Sequence, residues 1–196
     1  MSMQKFPKKY GITKIFYSIQ GEGSHTGMPS IFIRFAGCND DCSFCDTDYS
    51  LKQRMTAQEI EDECLKYSDC SNVIFTGGEP LLQLDMALIN QLSALGLTLN
   101  VETNGSINIT DEMANALWVT CSPKFIPIQI DTKHIDELKL LYNENGLYLP
   151  HHFCEYQGLK FLQPLYGENE KQTIQFVLDN PDWNLSIQTH KLIGVE

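Results

Sequence analysis

Three cysteines fall within eight residues, in the run Cys38-Asn39-Asp40-Asp41-Cys42-Ser43-Phe44-Cys45, directly after Ala36-Gly37. Thiolates at this C-x3-C-x2-C spacing can each hold one iron of a four-iron cluster and leave the fourth iron without a protein ligand. An iron left open can chelate a small molecule and pass it an electron, which makes the cluster a reaction centre. The same thiolates can bind zinc, but a structural zinc site is closed by four ligands. The nearest fourth ligands, Cys64, Cys70 and Cys121, supply no second C-x-x-C pair. Inert thiols are the third reading. A disulfide framework is disfavoured by the odd count of seven cysteines and the lack of a preceding secretory signal.

The elements that must position this loop alternate between short apolar runs and helical patterns. Residues 31–35 are β-rich and lead straight into the cysteines. Thr56-Ala57-Gln58-Glu59 is a capping box, followed by Ile60, Cys64 and Tyr67 at helical spacing. Strands are expected at 72–75, 97–101, 117–121, 138–142, 158–162 and 185–188, and helices near 85–95, after Thr110, and at 168–179. This order implies right-handed βαβ crossovers and a mainly parallel sheet. A complete (β/α)8 barrel takes about 250 residues, so this chain supports about six units. The expectation is an α/β fold, a partial (β/α)6-type open barrel in one domain over residues 1–196. Ligands gather at the carboxyl ends of parallel strands. There the sequence places the cysteine loop, Thr76-Gly77-Gly78-Glu79-Pro80, Glu102-Thr103-Asn104-Gly105, Ser122-Pro123-Lys124 and Gln163-Pro164.

Hydrophobic content of 42% and charged content of 20% are ordinary for a globular chain. A formal charge of −11 argues against a broad nucleic-acid surface, and no apolar run approaches membrane-spanning length. Unpaired cysteines point to a reducing cytoplasm and the composition to a small-molecule partner. Pro7-Lys8-Lys9 reads as a solvated arm, and Cys64, Cys70, Cys121 and Cys154 as core thiols.

Cys38-x3-Cys42-x2-Cys45 with Phe44, followed by Thr76-Gly77-Gly78-Glu79-Pro80, resembles the radical S-adenosylmethionine (SAM) enzymes. Further stretches narrow the resemblance to the 7-carboxy-7-deazaguanine synthase family of queuosine and 7-deazaguanine biosynthesis. They are Ser18-Ile19-Gln20-Gly21-Glu22-Gly23, Phe32-x-Arg34, Cys45-Asp46-Thr47, Glu102-Thr103-Asn104-Gly105, Ser122-Pro123-Lys124 and residues 186–191. The resemblance covers about 12–194. It implies a radical SAM fold and a lyase that converts 6-carboxy-5,6,7,8-tetrahydropterin to 7-carboxy-7-deazaguanine with loss of ammonia. It implies a [4Fe–4S] cluster on Cys38, Cys42 and Cys45, SAM as a recycled source of the 5′-deoxyadenosyl radical, and Mg2+ bound by Thr47. A flavodoxin- or ferredoxin-type electron donor and a homodimer are also implied.

By the same resemblance, SAM contacts fall to Phe44, Cys45, Asp46, Gly78, Glu79, Glu102, Asn104, Ser122 and Lys124. Gly77 and Gly78 lack a Cβ, so backbone polar groups can approach the methionine end of SAM. Substrate contacts fall to Ile19, Gln20, Gly21, Arg34, Thr76, Gln188, His190 and Glu196. An arginine inside an apolar strand needs an acceptor, either a substrate carboxylate or a structural ion pair. Relatives often end in a proline whose carboxylate touches substrate, whereas this sequence closes Gly194-Val195-Glu196, so Glu196 either substitutes or substrate capture differs. The rival readings are a glycyl-radical-enzyme activase, which acts on a protein partner, and a zinc-stabilised binding module.

Overall fold

The computed structural model describes residues 7–142 and 148–196, excluding the side chains of 148 and 149. The chain opens with an antiparallel pair, β1 (Tyr10–Ile19) and β2 (Pro29–Phe35), with β3 (Gln53–Met55) on the outer edge of β1. From β2 onward the sheet is parallel, through β4 (Asn72–Gly77), β5 (Thr98–Thr103), β6 (Trp118–Cys121), β7 (Glu137–Leu141), β8 (Leu159–Gln163) and β9 (Asn184–Leu185). The order β3-β1-β2-β4-β5-β6-β7-β8-β9 makes one open, nine-stranded sheet. Its connections carry α1 (Ala57–Cys64), α2 (Met86–Ser93), α3 (Asp111–Ala116), α4 (Tyr148–His152), α5 (Glu170–Asp179) and α6 (Thr189–Ile193). The fold is therefore α/β with a mainly parallel open sheet, as the alternation of elements predicts. Among the described residues no helix is long and apolar enough to cross a membrane.

Local chemistry sets the helix starts. Thr56 accepts from the Glu59 amide at 3.2 Å and the Glu59 carboxylate accepts from the Thr56 amide at 2.7 Å, completing the capping box of α1. Asp85 caps α2 and Thr110 caps α3. Asp85 also binds the Lys8 ammonium at 2.6 Å and the Tyr10 hydroxyl at 2.8 Å. Residues 7–9 are exposed, as read from the sequence, and Lys8 in addition ties them to the start of α2.

Strand periodicity divides the sheet into two faces. One face, with Ile31, Ile33, Phe35, Val73, Phe75, Leu99, Val101, Leu138 and Leu140, packs on Ile60 of α1 and Leu88, Ile89 and Leu92 of α2. The other face carries Arg34, Thr76, Glu102 and Lys139. Arg34 stands in register with Thr76, and Glu102 with Thr120, which pairs with Glu137. Chemistry therefore rests on one face of a sheet whose other face is the core.

Three expectations change. β1 was not anticipated, because a register shift between Ile12 and Lys14 breaks the alternation along it. The last strand, expected at 185–188, covers only Asn184–Leu185, and α6 follows it at Thr189–Ile193. Cys64, Cys70 and Cys121 are buried as expected, but Cys154 is exposed beyond α4.

Candidate active site

Two adjoining cavities open at the carboxyl ends of the parallel strands. The first, about 410 Å³, is walled by the cysteine loop and by the loops after β4, β5, β6 and β8. Cys38, Cys42, Cys45, Phe44, Asp46 and Thr47 line it from the loop after β2. Thr76, Gly77 and Gly78 follow β4, Glu102 and Asn104 end β5, and Ser122 and Lys124 follow β6. The Lys124 ammonium donates to the Ser122 hydroxyl at 2.7 Å.

The second cavity, about 270 Å³, lies toward β1. Ile19, Gln20, Gly21, Arg34, His190 and Glu196 line it, as do Phe16 and Phe32. Glu22, Asp46, Thr47, Thr76, Glu102, Gln188 and Lys191 line both cavities and form their common wall. Glu79 lines neither. It is fully buried behind the rim, where its carboxylate accepts from the amides of Leu81 and Asn104 and the hydroxyl of Thr103 at 2.8–3.0 Å. Its position is that of an anchor between two loops, not of the ligand contact expected from the motif.

The cysteine loop is held by its neighbours. The Asn104 amide donates to Asn39 at 3.0 Å and to Asp40 at 2.8 Å, while its oxygen accepts from Ser106. The Asp40 amide donates to the Cys38 sulfur at 3.4 Å. A Cβ on Gly78 would stand 2.0 Å from the Gly37 carbonyl oxygen, so the space the glycine leaves is filled by the turn that leads into Cys38. The glycine is needed to seat one loop against another, a role separate from ligand approach. Gly21 is similar, since a Cβ there would lie 2.1 Å from the His190 ring. The close pass lets the Thr189 amide donate to the Gly21 carbonyl at 3.0 Å.

The donor set suits the group that the spacing implies. Burial, the largest influence, pushes the Cys38 and Cys42 thiols up, with Lys124 opposing it at Cys42. Metal binding has the opposite effect, because iron is held by the thiolate. Among the described residues no three His, Cys, Asp or Glu side chains converge closely enough for a single ion. A cubane gives each thiolate its own iron and needs no such convergence.

Arg34 forms no ion pair among the described residues; its guanidinium lies over the Phe16 ring, 5.5 Å from the centroid, beside the second cavity. The structural ion pair weighed for it is absent from these residues. Burial, the largest effect, lowers the pKa of His190, with Glu22 opposing it. The Glu196 side chain pairs with Lys14, and Asp46 pairs with Lys191 of α6.

Sequence reasoning gave no role to Glu22 and Lys139. The Lys139 ammonium donates to Glu22 at 2.5 Å and to Glu102 at 3.0 Å. A signal was available, because Lys139 interrupts the apolar strand Leu138–Leu141 just as Arg34 interrupts β2. Gln163 lines the first cavity, as its place at a strand end implies, and so does Tyr166, for which the sequence carried no signal.

Residues 32–140 match the family profile described as the radical SAM superfamily, the class that the three-cysteine loop on a parallel rim defines. A relative from Bacteroides thetaiotaomicron, named 7-carboxy-7-deazaguanine synthase, is 44% identical over 189 residues, 94% of this chain and 97% of its own. One of the same name from Bradyrhizobium diazoefficiens is 40% identical over 215 residues, 95% and 99% of the two chains. The crystal structure of QueE from Escherichia coli shares the fold with a TM-score of 0.78 at 24% identity, covering 93% of this chain and 95% of that one. The chain belongs to the 7-carboxy-7-deazaguanine synthase family of radical SAM enzymes.

Proposed function

We propose that this chain, as one domain, is a Mg2+-dependent radical SAM carbon–nitrogen lyase that converts 6-carboxy-5,6,7,8-tetrahydropterin to 7-carboxy-7-deazaguanine and ammonia. The observation that carries this reading is the common wall between the two cavities. It runs from Thr47, two residues after the last cysteine, to Thr76 and Glu102 on neighbouring strands. A cofactor cavity that touches a substrate cavity can deliver a radical without exposing it to solvent.

A [4Fe–4S] cluster with SAM bound supplies a reducing electron and a 5′-deoxyadenosyl radical. The protein's residues then bind and orient. Cys38, Cys42 and Cys45 are the ligand set, and Ser122, Lys124 and the Gly77–Gly78 backbone fit the polar ends of SAM. Arg34, free of an ion pair among the described residues, suits a carboxylate on the pterin. Phe16 and Phe32, whose rings stack with centroids 5.0 Å apart, give that cavity an apolar floor. Thr47 lines both cavities and carries a hydroxyl, the kind of oxygen ligand that Mg2+ takes alongside a substrate oxygen. The substrate and the deazaguanine differ by one ammonia, so no net oxidant is needed.

The enzyme would work in a reducing cytoplasm as a homodimer, fed electrons by a flavodoxin- or ferredoxin-type protein. Oxygen-free reconstitution should yield about four irons and four sulfides per chain, and one zinc without iron would overturn the reading. Incubation with the carboxytetrahydropterin, SAM, Mg2+ and dithionite should then release the deazaguanine, identified by its mass; no product overturns the activity. Thr47→Ala should keep its iron yet lose about tenfold or more in Mg2+-stimulated turnover. An unchanged Mg2+ response removes Thr47 from the metal.

A further inference from the structure

Lys139 is among the most deeply buried charges in the described chain, and the proposed chemistry leaves it without a task. Its residue is 3% exposed, and it stands between carboxylates from different parts of the sheet, Glu22 after β1 and Glu102 on β5. Each carboxylate's other oxygen is held by an amide. Gln188 donates to Glu22 at 2.8 Å and Gln20 donates to Glu102 at 2.7 Å. The Gln20 oxygen in turn accepts from the Glu22 amide at 3.1 Å. One cation and two anions leave a net charge of −1 in a desolvated wall.

The cation is the covered member. The Lys139 side chain keeps 4% of its surface, against 14% for Glu22 and 23% for Glu102, and both acids line both cavities. Of the other charges lining the second cavity, Asp46 pairs with Lys191 and Glu196 with Lys14, so the cavity is polarised between Arg34 on β2, which has no ion pair among the described residues, and the carboxylates of Glu22 and Glu102. A carboxypterin carries the matching polarity: a carboxylate on one ring, and on the other a 2-amino-4-oxopyrimidine edge with adjacent N–H donors.

The geometry points to Lys139 as a positioning residue that holds the Glu22 and Glu102 carboxylates in place as a pair of acceptors for the N–H edge of the substrate. This inference rests on the pterin reading above. Without the ammonium, two neighbouring carboxylates would repel, and one would take a proton and become a donor toward another donor. The other charged groups near Glu22 are His190 of α6 and Lys124 after β6. Burial, the strongest single influence on Glu22, raises its pKa; Lys139 outweighs it and, with Gln188 and His190, holds the carboxyl at about 2.

The test uses Lys139→Met and Lys139→Arg, reconstituted to full iron content, with anaerobic titration of 6-carboxytetrahydropterin and kinetics across pH. The Met variant should bind the pterin about tenfold or more weakly. KM should rise more than kcat falls, and the acid limb of kcat/KM should move to higher pH. The Arg variant should recover most of both. A folded, iron-loaded Met variant with wild-type affinity and an unmoved acid limb overturns the inference. If that variant does not fold, Glu22→Gln decides: weakened binding supports the inference and unchanged binding overturns it. Wild-type protein that binds the pterin but makes no deazaguanine sinks the proposed reaction alone, and the titration still decides Lys139. Wild-type protein that does not bind the pterin sinks both.

Discussion

The two cavities share a wall but are built by different means. The first is assembled from contiguous motifs, each at the end of a neighbouring strand, and is tied together by backbone contacts such as the Glu79 amide donating to the Gly37 carbonyl at 3.0 Å. The second joins distant segments of the chain. Gln20 meets Glu102, Glu22 meets Lys139 and Gln188, and Gly21 meets Thr189. A cofactor common to a superfamily can be held by local loops on a parallel rim. The second cavity, the one proposed for the substrate, is enclosed by long-range side-chain contacts that also bring the segments after β1 and β9 together.

The largest way to break this comparison is Cys42→Ser. Turnover should fall more than about a thousandfold, because the group that does the chemistry loses a ligand. Pterin binding should stay within about threefold if the cavities are separable. Iron analysis and the anaerobic titration read the two effects, and a parallel loss of pterin affinity would show that they are not separable.

The next test contrasts two buried carboxylates of opposite behaviour. Glu22 is held at about 2 against an ordinary 4.5, so its contribution is complete above 4.5 and is lost as pH falls toward 2. Glu22→Gln should flatten the acid-dependent loss of stability in urea unfolding curves between pH 4.5 and 2. Burial, the largest cause, raises the pKa of Glu79, against hydrogen bonds from Asn104, Leu81 and Thr103. Its folded state favours the proton, so stability declines as pH climbs through the carboxylate range, and Glu79→Gln should remove that decline. Equal slopes in the two variants would erase the distinction between the sides.

The smallest effect is expected at Asn104. Asn104→Ala removes one tie each from Asn39 and Asp40 and should weaken iron retention about tenfold under chelator challenge. Unfolding free energy should change by about 1 kcal/mol. Undiminished iron retention would mean that the three-residue spacer between Cys38 and Cys42 holds its shape alone.

The cofactor side was the legible side, because its residues are local in sequence and parallel strands present loops at one rim. Thr76, Glu102, Ser122 and Lys124 could be placed there from strand ends alone. Glu79 shows the limit of that logic, since it belongs to the motif yet is turned into the core behind the rim. The substrate side was less legible. The bulge in β1 hid a ten-residue strand, and α6 followed a strand that stops after two residues. Glu22 was visible as a motif residue, but its partner on β7 is 117 positions away.

By itself the sequence determined the alternation of strands and helices, the three-cysteine loop at the rim, and the glycine and proline turns that end the strands. Each depends on spacing of a few residues, where side-chain type and backbone preference act directly. Only the tertiary structure decided which face of β2, β5 and β7 became the reaction face, and that Lys139 would sit between two carboxylates. Those outcomes depend on strand order and on desolvation, which arise only when distant segments are packed against one another.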